Sequence, residues 1–310
     1  MKIYPVDLLN QQIRTDMTRL IAESEKDYHD SLASLAQQLF ESRGEKPLIL
    51  LSGPSGSAKT TTAHRLAALL KELGAETHVV SMDNYFKPLA RDGVLTGQLG
   101  KLDLESPLRL DIPLLYRHFD SICRCEPVEL PRFDFAAQDR RRGEVLHRKP
   151  GELIIFEGIH ALNPEVTGSV QQQSLGIYVS VRTRLSIGER LLHPEKIRLM
   201  RRLMRDHQFR GREITDIMMS YVSVQQGEQL YIMPHKHRAA FDIDTFMPFE
   251  AAVYKKTLLP LLEQVPKTHC HYELISDVMD FLGAMDDVPT EAISPASIVR
   301  EFAGGSSYGH

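Results

Sequence analysis

The stretch Gly53-Pro54-Ser55-Gly56-Ser57-Ala58-Lys59-Thr60-Thr61 constrains the fold more than any other part of the chain. It follows directly on a short apolar run, Leu48-Ile49-Leu50-Leu51, and leads into helical spacing from Thr61 to Leu73. A strand, a glycine-rich turn and a helix in that order form a loop whose backbone N–H groups converge on an anion at the helix N-terminus. The spacing is that of G-x-x-x-x-G-K-[ST], except that Ala58 stands in place of the second glycine. A methyl group there crowds the backbone or disfavours a positive φ. In this pattern Gly53 and Gly56 permit the tight path, and the loop as a whole, with Ser55, Ser57, Ala58 and Thr61, lines a nucleotide's phosphates. Lys59 reaches the β- and γ-phosphates, and the Thr60 hydroxyl is a ligand for Mg²⁺. ATP and Mg²⁺ are therefore the expected cofactors. The plainer alternative is a Gly/Ser turn ahead of an ordinary helix.

The remaining texture fits an α/β layered fold. Further short apolar runs occur at 78–81, 153–156 and 177–181, with a weaker one at 241–246. Runs apolar at consecutive positions predict strands buried on both faces, hence a mostly parallel five-stranded sheet. Helical patterns fall between several of them, at 61–73, 110–119 and 194–207, and again at 250–264 and 273–284. The expectation is a three-layer sandwich of the P-loop NTPase type. It divides into an N-terminal helical extension over 1–45, a core over 46–265 with an arginine-rich lid at about 195–230, and a C-terminal helix and tail over 266–310. Residues 84–109 and 132–151, rich in Gly, Pro and charge, are expected to be long functional loops. The last residues, Gly304 to His310, are expected to be mobile unless they dock on the core.

A phosphate cradle alone specifies only a nucleotide. Two carboxylates close apolar strands, where ligands of open α/β sheets gather. Asp83 follows one strand in Ser81-Met82-Asp83-Asn84-Tyr85-Phe86, and Glu157 ends another in Ile154-Ile155-Phe156-Glu157. Glu157 is expected to hold the metal shell. Asp83 is expected to take an acceptor's proton and to touch the metal through water. Each carboxylate alone is equally a helix cap or a surface turn. From Lys196 to Arg212 the chain carries Arg198, Arg201, Arg202, Arg205, Arg210 and Arg212, several at helical spacing away from an apolar stripe of Leu199, Leu203 and Met204. Such density suits a lid over a polyphosphate, with Arg205 stabilising the transferring group and Arg202 and Arg210 on ATP. A solvated basic helix face and a nucleic-acid patch remain the alternatives.

The formal net charge of −4 gives no global signature of a nucleic-acid binder. Three cysteines, Cys123, Cys125 and Cys270, lack the spacing of a disulfide framework or a zinc site and fit a reducing compartment. The N-terminus has no apolar signal core and no apolar run is long enough to span a membrane, so a cytoplasmic location is expected. Homo-oligomerisation through the N-terminal helices is a further expectation.

Together these segments resemble the uridine kinase and phosphoribulokinase family of P-loop small-molecule kinases, over about residues 46–265. The segment Ser81 to Phe86 resembles the family's stretch bearing the catalytic Asp, with Tyr85 beside it. Asp103-Leu104-Glu105-Ser106-Pro107 and Asp111 resemble its following acidic segment, which makes Glu105 a substrate-facing acid. Pro131-Arg132-Phe133-Asp134-Phe135 resembles its substrate loop, and Glu157-Gly158-Ile159-His160-Ala161-Leu162 its Glu-Gly-Ile segment. Arg202, Arg205, Arg210 and Arg212 match its arginine lid. Ser24 to Tyr28, Val224 to Glu228 and Ile298 to Ser306 are similar to a bacterial branch of nucleoside kinases. The resemblance implies an ATP-dependent kinase acting on a small hydroxyl compound such as uridine or cytidine, with Tyr85, Glu105, Phe133, Phe135, Gln138 and Arg212 on the substrate side. Phe133 stands where the family often has Tyr, Gln138 where nucleoside kinases carry a base-contacting His, and Ser220 where they carry a ribose-contacting Gln. A sugar phosphate is the alternative acceptor, with Arg140-Arg141-Arg142 as its basic groups. An ATP-binding sensor without turnover is the alternative outside enzymes.

Overall fold

The computed structural model describes residues 2–88 and 103–308. Its first half runs β1 (Ile3–Pro5), α1 (Val6–Ser42), β2 (Leu48–Ser52), α2 (Lys59–Glu72), β3 (Thr77–Ser81), α3 (Ile112–Cys123), β4 (Val128–Asp134), β5 (Asp139–Leu146), β6 (Leu153–Glu157) and α4 (Pro164–Thr167). The second half runs β7 (Ser174–Ser180), β8 (Arg184–Ile187), β9 (Arg190–Leu192), α5 (Pro194–Arg210), α6 (Ile214–Gly227), β10 (Phe241–Asp244), α7 (Glu250–Glu263), α8 (Glu273–Ala284) and α9 (Arg300–Ala303).

Five strands form one sheet in the order β10-β7-β2-β6-β3, and every neighbouring pair is parallel. The continuous apolar runs account for this: β2 and β6 are buried at every position, as strands covered on both faces must be. One apolar layer lies under α1, α2, α5, α7 and α8. The other lies under α3 and β4, where Phe119 and Phe156 pack edge to face at 4.8 Å. Between them the sheet makes a three-layer sandwich. After β2 the chain passes to β3 on one side, and later to β7 on the other. The carboxyl end of β2 therefore lies at a topological switch point, where such sheets bind ligands.

One expectation changes. Residues 132–151 are not a long loop. Most of them belong to an antiparallel hairpin, in which Phe133 pairs with Arg140 and Arg132 with Arg141. Its turn is held by Asp134, whose Oδ1 accepts from the N–H groups of Ala136 and Ala137, and by Gln138 at φ 50°. The expected loop at 84–109 falls largely outside the described residues. Its near end is a 3₁₀ turn over Met82–Tyr85 and its far end one over Pro107–Arg109.

The described segments near both ends are built into the fold. α1 packs along α2, where Tyr28 and Thr62 share a buried hydrogen bond of 2.7 Å. It breaks at Asp16 (φ −161°), whose Oδ1 accepts from the N–H of Arg19 and caps the second part of the helix. The C-terminal segment docks: Ile298, Val299 and Phe302 are fully buried. Among the described residues no helix is long and apolar enough to cross a membrane.

Candidate active site

β2 delivers the chain into the loop at Gly53. A Cβ there would stand 2.1 Å from the carbonyl oxygen of Val179, and one on Gly56 (φ 76°) would stand 2.9 Å from that of Arg198. Neither position has room for a side chain. Ala58 does adopt the left-handed conformation the pattern reserves for glycine (φ 63°, ψ 39°), with its methyl packed in the core. This costs about 1–2 kcal/mol of backbone strain and leaves the course of the loop intact. Three arginines of α5 donate to the loop. Arg198 donates to the carbonyl of Ser55 (3.3 Å), Arg201 to the carbonyl of Gly56 (3.0 Å) and Arg202 to Oγ of Ser55 (3.1 Å). Lys59 Nζ donates to the carbonyl of Pro54 (3.2 Å). The Ser57 hydroxyl is fully buried and has no hydrogen-bond partner.

The carboxylates converge on this loop through the sheet register. Glu157 pairs with Leu51 on one side and Ser81 on the other, so β6 sets its carboxylate between the phosphate loop and the segment bearing Asp83. Burial pushes Glu157 above the usual carboxylate range and the Asp83 charge adds to this, while Lys59 opposes it. Asp83 is also raised by burial, against the pull of Lys59, Arg210 and Arg205. Lys59 is lowered by burial, with Glu157, Asp83 and Glu301 acting the other way. Two crowded carboxylates beside Lys59 offer hard oxygen donors, which suits Mg²⁺ held partly by a substrate's phosphates. Glu105 is pushed up to about 7 by burial, within the fields of Arg202, Asp83 and Lys59.

The arginine cluster resolves into two groups. Arg198 and Arg201, expected on the lid, are buried in two-point ion pairs with Glu228 and Glu250 and serve the loop's shape. Arg202, Arg205, Arg210 and Arg212 surround Asp206, with N···O distances of 3.5, 2.9, 3.2 and 3.7 Å. Asp206 is fully buried. Burial alone would raise its carboxyl, but Arg205, Arg202 and Arg210 hold it below its ordinary value. Four guanidiniums on one carboxylate leave net positive charge, and Arg210 and Arg205 act on Asp83. Gly211, at φ 60°, ends α5 and turns Arg212 back so that its N–H bonds the carbonyl of Asp206.

The substrate-side expectations divide. Tyr85 is fully buried and its hydroxyl hydrogen-bonds with His118 Nδ1 at 2.9 Å, so it is a core residue and not a substrate contact. The N–H of Phe133 donates to Oδ1 of Asn84, the residue after Asp83, which ties the hairpin to that segment. The Phe133 ring packs edge-on against Phe86 and Phe135. Phe135 and Gln138 lie in the hairpin turn, where Gln138 Nε2 donates to the carbonyl of Phe135. Ser220 Oγ donates to the carbonyl of Ile217, within its own helix. Sequence reasoning missed Asp206 as the hub of the lid and Glu301 as a neighbour of the loop. The first sat inside the arginine motif without being singled out. The second lies too far along the chain for any local signal.

The profile of the Phosphoribulokinase / Uridine kinase family matches residues 48–248, the span that carries the loop, both carboxylates and the lid. The chain belongs to this family. It is 32% identical over 197 residues to a uridine kinase of Lactobacillus helveticus, covering 63% of this chain and 85% of that protein. It is 30% identical over 201 residues to a uridine kinase of Lactobacillus johnsonii, covering 64% and 86%. The fold is similar to that of a Saccharomyces cerevisiae P-loop kinase with a circular permutation, at a TM-score of 0.52 and 12% identity, covering 71% of this chain and 99% of that one. Membership makes the chain an ATP-dependent phosphotransferase.

Proposed function

We propose that this kinase phosphorylates a hydroxyl of an uncharged small polyol, the 5′-OH of a pyrimidine nucleoside such as uridine or cytidine. The observation that carries this reading is the state of the three arginines a sugar phosphate would need. Arg140 donates to Asp111 at 2.8 Å, Arg141 pairs with Asp134 at 2.9 Å and Arg142 with Glu129 at 3.3 Å. With these guanidiniums matched by carboxylates, the acceptor side, with Asp83 and Glu105, favours hydroxyls over a second phosphate. The names of the relatives from Lactobacillus point the same way.

In this reading the loop Gly53–Thr61 cradles the phosphates of ATP, and Lys59, Arg202, Arg205 and Arg210 neutralise charge on the transferring group. Thr60, Asp83 and Glu157 would hold Mg²⁺, which supplies further neutralisation of the phosphates. Asp83 accepts the proton of the attacking hydroxyl, and its raised affinity for protons suits that task. Glu105 accepts hydrogen bonds from neighbouring hydroxyls, with Phe133 as the apolar wall and Arg212 at the edge of the lid. A sensor that binds ATP without turnover has no need of Asp83 beside the cradle.

The test is acceptor-dependent ADP release across nucleosides, sugars and sugar phosphates, with Asp83→Asn as control. Release with uridine or cytidine that vanishes in the control supports the reading. Release only with a sugar phosphate replaces the acceptor, and none with any acceptor despite ATP binding favours the sensor.

A further inference from the structure

Glu301 reaches the phosphate-binding loop from the far end of the chain, outside the span matched by the family. Its Oε2 accepts two hydrogen bonds from Thr61, one from the backbone N–H at 3.1 Å and one from Oγ1 at 2.6 Å. Thr61 is the third residue of α2, so its N–H is one of the four at the helix start without an acceptor inside the helix. Those N–H groups are what such a loop offers to a polyphosphate. The carboxylate is near enough to Lys59 to favour its charged form, as Glu157 and Asp83 do. Across the same loop the buried Ser57 hydroxyl, without a partner, marks a donor position that the protein itself does not satisfy.

The backbone that carries Glu301 is firmly seated. Ile298, Val299 and Phe302 are buried, and the Phe302 ring lies 5.2 Å from the Arg201 guanidinium. Arg300 ties the segment to itself by donating to the carbonyls of Ile293 (3.0 Å) and Gly304 (3.1 Å). Tyr308 stacks on His64 of α2 at 5.5 Å, with the ring planes 8° apart. Pulling this segment away would expose several core side chains, whereas turning the Glu301 side chain changes only its rotamer.

We propose that the Glu301 carboxylate competes with the phosphates of the nucleotide for the Thr61 donors, and so sets the affinity of the site for ATP and ADP. A carboxylate and a phosphate cannot both take one N–H, and two anions at that distance repel each other. The side chain turns away when a phosphate takes its place, while α9 stays docked. Adenosine, which has no phosphate, does not enter this competition. The inference rests on the ATP-dependent reading of the loop.

Calorimetric titration of the full chain with MgATP, MgADP and adenosine, in the wild type, Glu301→Gln and Glu301→Ala, tests it. The expected result is binding of MgATP and MgADP about tenfold tighter in Glu301→Ala, the loss of one charge-assisted contact from the competing state. Glu301→Gln gives part of that gain, because its amide oxygen still accepts but carries no charge, and adenosine binding stays as in the wild type. Melting curves show which variants are folded, and Glu301→Gln, which keeps the shape, answers the question if Glu301→Ala does not fold. MgATP binding that is unchanged or weaker in the folded variants overturns the proposal. So does adenosine binding that tightens as much as ATP binding, because removal of the side chain would then have opened the site generally. Failure of every form, wild type included, to bind MgATP overturns the ATP-dependent reading and this inference with it.

Discussion

Arg201 and Glu250 form a two-point ion pair in which both side chains are completely buried: Nε donates to Oε2 at 2.7 Å and Nη2 to Oε1 at 3.0 Å. The same guanidinium donates to the carbonyls of Gly56 and Thr245, so it links α5 and α7 to the phosphate loop. Removing one partner strands a buried charge. Glu250→Ala is expected to lower the unfolding free energy by about 3–5 kcal/mol, measured by denaturant titration. The double variant Arg201→Met with Glu250→Leu restores most of that stability, since two apolar side chains replace the pair. Its affinity for MgATP is expected to fall below that of the wild type, because the Gly56 carbonyl has lost its tether. Recovery of both properties would show that Arg201 matters to stability alone.

Asp206 organises four guanidiniums with one carboxylate. Asp206→Asn keeps the size of the side chain and removes the charge that offsets their mutual repulsion. Arg205 and Arg210 are then expected to swing outward, raising KM for ATP about tenfold and lowering kcat with it. Steady-state kinetics checks this. The drop should deepen with added salt, because the arginines, no longer fixed near the phosphates, act through a screened field. Unchanged KM for ATP would mean that the lid arginines find their places without Asp206.

Much of this fold is legible because its strands are short apolar runs with no competing helical reading. Leu48 to Leu51 and Leu153 to Phe156 predict central strands from burial alone, and both are buried throughout. The phosphate loop is legible because its residues are contiguous. The hairpin at β4 and β5 is not, since β5 carries Arg140, Arg141 and Arg142 in a row, and a run of consecutive charges reads as a loop. The place of Tyr85 is not legible for a related reason: in a 3₁₀ turn next to Asp83 its side chain is buried in the core, and sequence adjacency carries no information on direction. The Glu301 contact with Thr61 joins residues that no local pattern connects. Arg198 and Arg201 share the spacing of the lid arginines, and only their partners Glu228 and Glu250, far along the chain, distinguish them.

Glu105 carries a stability cost that depends on pH. Its carboxyl is pushed up to about 7 by burial, against an ordinary value of 4.5. The folded state therefore holds a proton between those values where the unfolded state does not, so stability falls as pH rises through that window. Above it the charged carboxylate is a fixed penalty of about 1–3 kcal/mol. Glu105→Gln is expected to melt about 2–6 °C higher than the wild type at pH 8, with the difference vanishing near pH 4.5. Thermal scans across that range check this. The same variant loses affinity for the hydroxyl substrate at pH 8, since an amide accepts more weakly than a carboxylate. An equal melting difference at both ends of the range would show that Glu105 does not titrate in the fold.

Asp83 and Glu157 titrate as a pair, each held above its ordinary value by burial, with the charge of Asp83 raising Glu157 further. In the proposed reaction the ionised pair is the active form, so kcat in the wild type falls toward acid pH. Asp83→Asn removes the base and is expected to lower kcat by about 10²–10⁴-fold. The affinity for ATP without metal stays within a few-fold, because the residues of the loop are unchanged. The sign of the accompanying shift follows from the field. Without the negative charge of Asp83, Glu157 gives up its proton more readily, so the acid limb of the residual activity moves to lower pH. Rate measurements from pH 5 to 9 with the acceptor saturating distinguish the outcomes. An acid limb that stays in place, with the rate reduced, would assign it to Glu105 or to the nucleotide and remove Asp83 from the titrating pair.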